Sequence, residues 1–144
     1  MDPILHLSLP VADLDRARAF YVDLLGCTPG RVREGWLDVW FYGLQLTLQE
    51  APDEVRPPDT QGVRHFGVTL GADDLDALLS RLDGAGNGDG TGTGVDWVDR
   101  GHTDFPGTPR QQTKAKIRDA DANVIELKSY ADPEAAFETP GRPS

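Results

Sequence analysis

The chain has 144 residues, 38% of them hydrophobic, enough to bury a core and too many for a disordered segment. Lys and Arg number 14 against 24 Asp and Glu, and the resulting net charge of −10 disfavours nucleic acid and anionic membranes as partners. Cys27 is alone, which excludes an intrachain disulfide and fits a reducing cytoplasm.

The N-terminal "MDPILHLSLP" lacks the basic start and long apolar run of a secretion signal, and no apolar stretch approaches the ~20 residues a membrane span needs. "ILHLSL" (4–9) alternates as a strand does, and Pro10 is expected to end it. Asp13 is a candidate N-cap for a helix carrying Leu14, Ala17, Tyr21, Leu24 and Leu25 on one face, with Gly26 as its stop. "WLDVWFYGLQLTLQE" (36–50) predicts two strands with Tyr42-Gly43 near the turn. The Pro-rich, charged "APDEVRPPDTQG" (51–62) predicts a linker.

The order then starts again. "VRHFGVTL" (63–70) predicts a strand, and Asp73 or Asp74 caps a helix bearing Leu75, Leu78, Leu79 and Leu82, closed by Gly84. A glycine-rich run (84–94) leads to a short strand at 95–99. Strands follow at 113–119 and 123–130, then one helical turn at 132–138 and a frayed end. His6 precedes "VADLD" much as His65 precedes "GADDLD", so one pattern occurs twice.

Side chains alternate between the faces of a strand. Leu5, Leu7 and Leu9 oppose His6 and Ser8; Leu44, Leu46 and Leu48 oppose Gln45, Thr47 and Gln49. Phe66, Val68 and Leu70 oppose His65, and Ile125 and Leu127 oppose Glu126. Asp38, Trp40, Tyr42, Lys114, Lys116 and Arg118 fall on the polar faces by the same count. Any one such residue is most simply a surface residue. Were the two halves to curl together, however, two imidazoles, a carboxylate and an amide oxygen would converge in one cup. That donor set suits a divalent Fe, Mn, Ni, Co or Zn ion with open positions for a small-molecule substrate.

The words "LHLSLPVADLDRARAFYVDLLGC", "FYGLQLTLQE", "VRHFGVTL" and "RDADANVIELKSY" resemble the vicinal oxygen chelate superfamily, which includes glyoxalase I, bleomycin-resistance proteins, fosfomycin-resistance enzymes and extradiol dioxygenases. The resemblance implies an α+β fold of two βαβββ modules, an incomplete barrel around a metal cup, and a homodimer. The expected organisation is one glyoxalase-like domain over 1–144, with module one at about 4–50, linker 51–62, module two at about 63–130 and a tail at 131–144. Carried over, the family's ligand places fall on His6, Gln45, His65 and Glu126. The family's usual D-P-x-G-N turn is here "DADAN" (119–123), lacking the Pro and Gly.

An amide cannot serve as a base, so Gln45 disfavours glyoxalase I itself, which resemblance gives a carboxylate there. The functional reading is a metal-dependent lyase, dioxygenase or thiol transferase, with Ser8, Trp40, Tyr42, Thr47, Lys114, Lys116 and Arg118 as candidate pocket residues. The basic trio also admits a simpler role, discouraging sheet-edge aggregation. His102, in a predicted loop, and Tyr42 or Tyr130 are acid/base candidates by residue type alone. The alternative is a non-catalytic drug-binding protein of the bleomycin-resistance kind, with Trp36, Trp40, Tyr42 and Trp97 lining a groove between protomers.

Overall fold

The structure is a computed structural model that describes residues 1–89 and 94–137. Its first sheet contains β1 (His6–Val11), β2 (Thr28–Arg33), β3 (Trp36–Phe41) and β4 (Leu44–Glu50), in the order β1-β4-β3-β2. The second contains β5 (Phe66–Thr69), β6 (Asp96–Asp104), β7 (Gln112–Arg118) and β8 (Val124–Tyr130), in the order β5-β8-β7-β6. In each sheet the first strand pairs parallel with the last and the other pairs are antiparallel, and the two sheets do not close into a barrel. The repeated α+β, two-module architecture expected from the sequence is therefore present. No helix is long and apolar enough to cross a membrane.

Several boundaries differ from the sequence-based expectation. β1 runs through Pro10 to Val11, which an edge strand allows where the missing N–H has no neighbour to serve. β2, "TPGRVR", is not among the expected strands, because Pro29 and Gly30 read as strand breakers; it is an edge strand with a register shift between Pro29 and Val32. Asp13 caps α1 (Leu14–Arg18) by accepting from Arg16 N–H, and the chain continues as a π-helical run from Ala19 to Leu24. α2 spans Ala72–Ala85 with Gly71, not Asp73 or Asp74, at its N-cap, and it passes Gly84 to end at Gly86 (φ 76°). The two aspartates sit instead in its first turn, where the helix dipole favours them. The linker holds two 3-10 turns, Pro52–Glu54 and Pro58–Thr60, and Pro133–Phe137 forms the expected final turn. Part of the glycine-rich run (90–93) and the end of the tail (138–144) lie outside the described residues.

The apolar faces named above meet the helices. Leu37, Val39, Phe41, Leu46 and Leu48 from the first sheet join Ile117, Ile125 and Leu127 from the second in one buried cluster with Phe20, Tyr21, Leu75, Leu78 and Leu82. The polar faces therefore lie on the sides away from the helices. Tyr42 (φ 47°) and Gly43 (φ 87°) form the two-residue hairpin turn between β3 and β4, the left-handed pair that the strand twist demands.

The "DADAN" turn closes without proline or glycine. Asp119 Oδ1 accepts from the N–H groups of Asp121 and Asn123, both at 2.9 Å, and Oδ2 accepts from Asn123 Nδ2 at 2.9 Å. The same Oδ2 accepts from the Tyr21 hydroxyl at 2.6 Å, and Ala12 N–H donates to Asp121 Oδ1 at 2.9 Å. These bonds tie the end of the second module to the first. Ala122 holds φ 64°, a left-handed conformation that its methyl group disfavours. Ala122→Gly is expected to stabilise the fold by about 0.5–1 kcal/mol, read as a higher denaturant midpoint at unchanged slope.

Candidate functional site

His65 stands immediately before β5, and Gly67 pairs with Glu126 across the parallel β5–β8 ladder. His65, Gly67 and Glu126 thus share a face, as the alternation predicted. A Cβ on Gly67 would collide with the Glu126 backbone, lying 2.8 Å from its carbonyl carbon. The bare glycine lets the two strands approach beneath the pair. His65 Nδ1 lies 2.8 Å from the Val63 carbonyl oxygen, so this nitrogen carries the proton and donates it. Nε2 faces Glu126 Oε2 at 3.5 Å. Two ligands of one ion, each about 2.1 Å from it, stand roughly 3.0–3.5 Å apart when adjacent. A neutral imidazole and a carboxylate at that separation could hold a cation between them, and a protonated imidazole would form an ion pair with the carboxylate instead.

Glu126 is 9% exposed. Lys116 Nζ lies 3.6 Å from its Oε2 and Lys128 Nζ lies 3.6 Å from its Oε1. A cleft of about 330 Å³ opens here, lined by His65, Phe66, Gly67, Val68, Thr69, Glu126 and Lys128. Lys128 is not among the sequence candidates, although its place two residues after Glu126 puts it on the same face.

His6 repeats the arrangement of His65 on β1. Its Nδ1 lies 3.2 Å from the Gln45 carbonyl oxygen, and the ring is exposed. His6 and Gln45 face each other across the β1–β4 ladder. Among the described residues no three His, Cys, Asp or Glu side chains gather into a metal-holding group. One chain thus brings His65 and Glu126 together without assembling the full set of His6, His65 and Glu126.

The remaining candidates divide between the two sheets. On the first, Thr47 donates to Asp38 Oδ1 at 2.6 Å and Arg31 Nε donates to Asp38 Oδ2 at 2.8 Å, while Gln49 Nε2 donates to Ser8 Oγ. Buried Asp38 is thereby fully engaged in fixing Thr47. Trp40 and Tyr42 share a separate cleft of about 300 Å³ with Leu25, Gly26, Cys27, Thr28 and Gly43. Burial pushes the Cys27 thiol up to about 11, so it is inert as a nucleophile at neutral pH. Trp36 and Trp97 are elsewhere, under the guanidinium groups of Arg31 and Arg100.

On the second sheet, Lys114 Nζ binds Asp104 Oδ2 at 2.8 Å and Arg118 pairs with Asp96 at 3.5 Å. The Lys114 ammonium holds the Asp104 carboxyl below its usual range, and the Gly101 N–H does the same for Asp99. His102 lies on β6, not in a loop, with Nδ1 against Asp99 and Nε2 3.4 Å from Asp104. Two register shifts in β6 let Asp99 and His102 share a side of the strand, which simple alternation would not give.

Residues 3–127 match the model of the Glyoxalase/Bleomycin resistance protein/Dioxygenase superfamily. The chain belongs to this superfamily. Among solved structures, a superfamily protein from Alicyclobacillus acidocaldarius is 26% identical, with a TM-score of 0.78 over 93% of this chain and 96% of that one. A superfamily protein from Nocardioides shares the fold at 19% identity and a TM-score of 0.66, over 100% of this chain and 91% of that one. So does the genomically encoded fosfomycin resistance protein FosX from Listeria monocytogenes, at 16% identity and a TM-score of 0.66, over 90% of this chain and 93% of that one. No curated protein matches the chain. Members of this superfamily bind small molecules, commonly with a divalent metal.

Proposed function

We propose that the protein is a divalent-metal-dependent enzyme acting on a small molecule in the cytoplasm, of the lyase, dioxygenase or thiol-transferase kind. The observation that carries this reading is the approach of His65 Nε2 to Glu126 Oε2 at 3.5 Å while Nδ1 is tied to a backbone carbonyl. Tying the second ring nitrogen is how proteins orient metal-ligating histidines. An Fe, Mn, Ni, Co or Zn ion bound here would polarise vicinal oxygens of the substrate as a Lewis acid. His65 and Glu126 would hold it, with His6 as the third ligand and Gln45 a weaker candidate. Ser8 and Thr47 would orient polar groups of the substrate, and Lys114, Lys116 and Arg118 would set the charge of the wall.

The third ligand requires a second copy of the chain. β1 and β5 are sheet edges with no second neighbour. Leu7, Leu9, Phe66 and Val68 on them remain half-buried, while Leu46, Leu48, Ile125 and Leu127 on the inner strands are sealed. A homodimer joining β1 of one copy to β5 of the other covers this surface and brings the partner's His6 toward His65 and Glu126. We further propose that residues 1–144 act as one glyoxalase-like domain within that dimer.

Metal analysis of protein purified without chelator tests the reading, with about one transition ion per chain expected. Mixing His6→Ala and His65→Ala chains tests the dimer. Each variant alone is expected to lose its metal, and the heterodimer is expected to recover one site in two; no recovery means that each chain builds its own site. The Trp40–Tyr42 cleft supports the second reading, a binder without chemistry. Absence of bound metal after reconstitution favours it.

A further inference from the structure

A further cleft, of about 200 Å³, is lined by the end of β1, the linker and the turn from β7 to β8. Leu9, Pro10 and Val55 give it an apolar wall. Asp121, from the turn, is 5% exposed. Its Oδ1 accepts from the Ala12 N–H at 2.9 Å, while Oδ2 accepts no hydrogen bond among the described residues. The nearby Arg16 donates to the Ala120 carbonyl oxygen instead, at 3.4 Å. Burial, and behind it the charges of Asp119 and Asp13, raise the Asp121 carboxyl above its ordinary value. A buried carboxylate in that position is stabilised by a cationic N–H donor. The chain from 54 to 64 brings Glu54, Arg56 and Arg64 to the same cleft. It is folded rather than loose: Arg64 Nη1 donates to the Gln61 carbonyl oxygen at 3.2 Å, and buried Gln61 donates through Nε2 to the Arg56 carbonyl oxygen at 3.1 Å. Among the described residues neither guanidinium pairs with a carboxylate.

We propose that this cleft binds a small aliphatic α-amino acid as its zwitterion. The ammonium donates to Asp121 Oδ2, the carboxylate accepts from Arg56 and Arg64, and the hydrocarbon side chain rests on Leu9, Pro10 and Val55. Charge, size and wall all lead to this class. Two cations and two carboxylates line one cleft without neutralising each other. A ligand bearing both signs satisfies both sets, whereas a simple anion or a simple amine satisfies one. The volume equals that of about seven waters at about 30 Å³ each, which suits a molecule of valine's size and is too small for a nucleotide or a peptide. The apolar wall favours a hydrocarbon side chain over a polar one. Arg64 lines this cleft while the next residue, His65, lines the other, so the two sites are separate. The proposal holds whether or not His65 and Glu126 take a metal.

The test is calorimetric titration of the full chain with L-valine at neutral pH, with a Kd of about 1 mM or tighter expected. Isovalerate is valine without its ammonium, and isobutylamine is valine without its carboxylate. Each is expected to bind at least about tenfold more weakly than valine, because each leaves one charge set unserved. Asp121→Asn keeps an acceptor for the Ala12 N–H and removes the charge. It is expected to weaken valine at least about tenfold and to leave isovalerate unchanged. Arg64→Met and Arg56→Met are expected to weaken valine and isovalerate alike. Circular dichroism checks the folding of each variant; should Asp121→Asn not fold, the exposed Arg64→Met and the two valine fragments decide. Isovalerate binding as tight as valine overturns the contact with Asp121 and with it the amino-acid assignment. No saturable valine binding up to about 10 mM, or binding that all three substitutions leave intact, overturns the site.

Discussion

Replacing His65 with alanine is expected to lower metal affinity by more than about 100-fold, beyond the 10–100-fold typical of outer-shell changes. Bound ion per chain should fall from about one to near zero. His65 Nε2 and Glu126 Oε2 stand 3.5 Å apart, a separation that one cation can span, on the face that lines the cleft. With the imidazole gone, Glu126 keeps only its two ammonium neighbours, and these repel a cation. His102→Ala is the control. It lies on the same sheet, but its nitrogens face Asp99 and Asp104, and its removal should leave the metal in place. Elemental analysis and Mn(II) titration of both variants decide the matter; equal loss in the two, or none in His65→Ala, rules out the assignment.

Asp119→Ala is expected to cost about 2–4 kcal/mol of stability, read from urea unfolding. Its carboxylate accepts four hydrogen bonds, one from the fully buried Tyr21 hydroxyl, and alanine leaves all four donors without a partner. Asp119→Asn separates charge from shape. Burial raises the Asp119 carboxyl above its ordinary value, against the lowering by its hydrogen bonds. A group whose folded value is raised holds its proton better in the folded state. Stability therefore falls as pH rises from the ordinary Asp value of about 4 through the raised folded value. The amide of the Asp119→Asn variant does not titrate, so the parent's advantage over that variant should grow as pH falls toward 4. An advantage independent of pH would mean that Asp119 titrates normally.

Much of this is legible in the sequence, because alternation with period two sorts side chains before any pairing is known. It places His65 and Glu126 on one face, and Ile125 and Leu127 on the other. It fails where long-range pairing overrides local preference. Pro29-Gly30 reads as a break, yet β3 recruits it as an edge strand. The register shifts of β6 draw His102 into a strand that propensity ends at residue 99. The Lys128–Glu126–Lys116 clamp is half visible: the face count holds all three, but which ammonium meets which oxygen depends on the β7–β8 register. Whether His6 meets His65 is not a local property at all, since in the proposed dimer it depends on a surface beyond one chain.

The bond between Tyr21 and Asp119, with that between Ala12 and Asp121, restricts how the molecule can breathe. A hinge that swung the halves apart as rigid bodies would strip a buried phenol and a carboxylate of each other and split a common apolar interior. The motion left to the molecule lies in small excursions at the sheet edges, where β2 and the irregular β6 have neighbours on one side only.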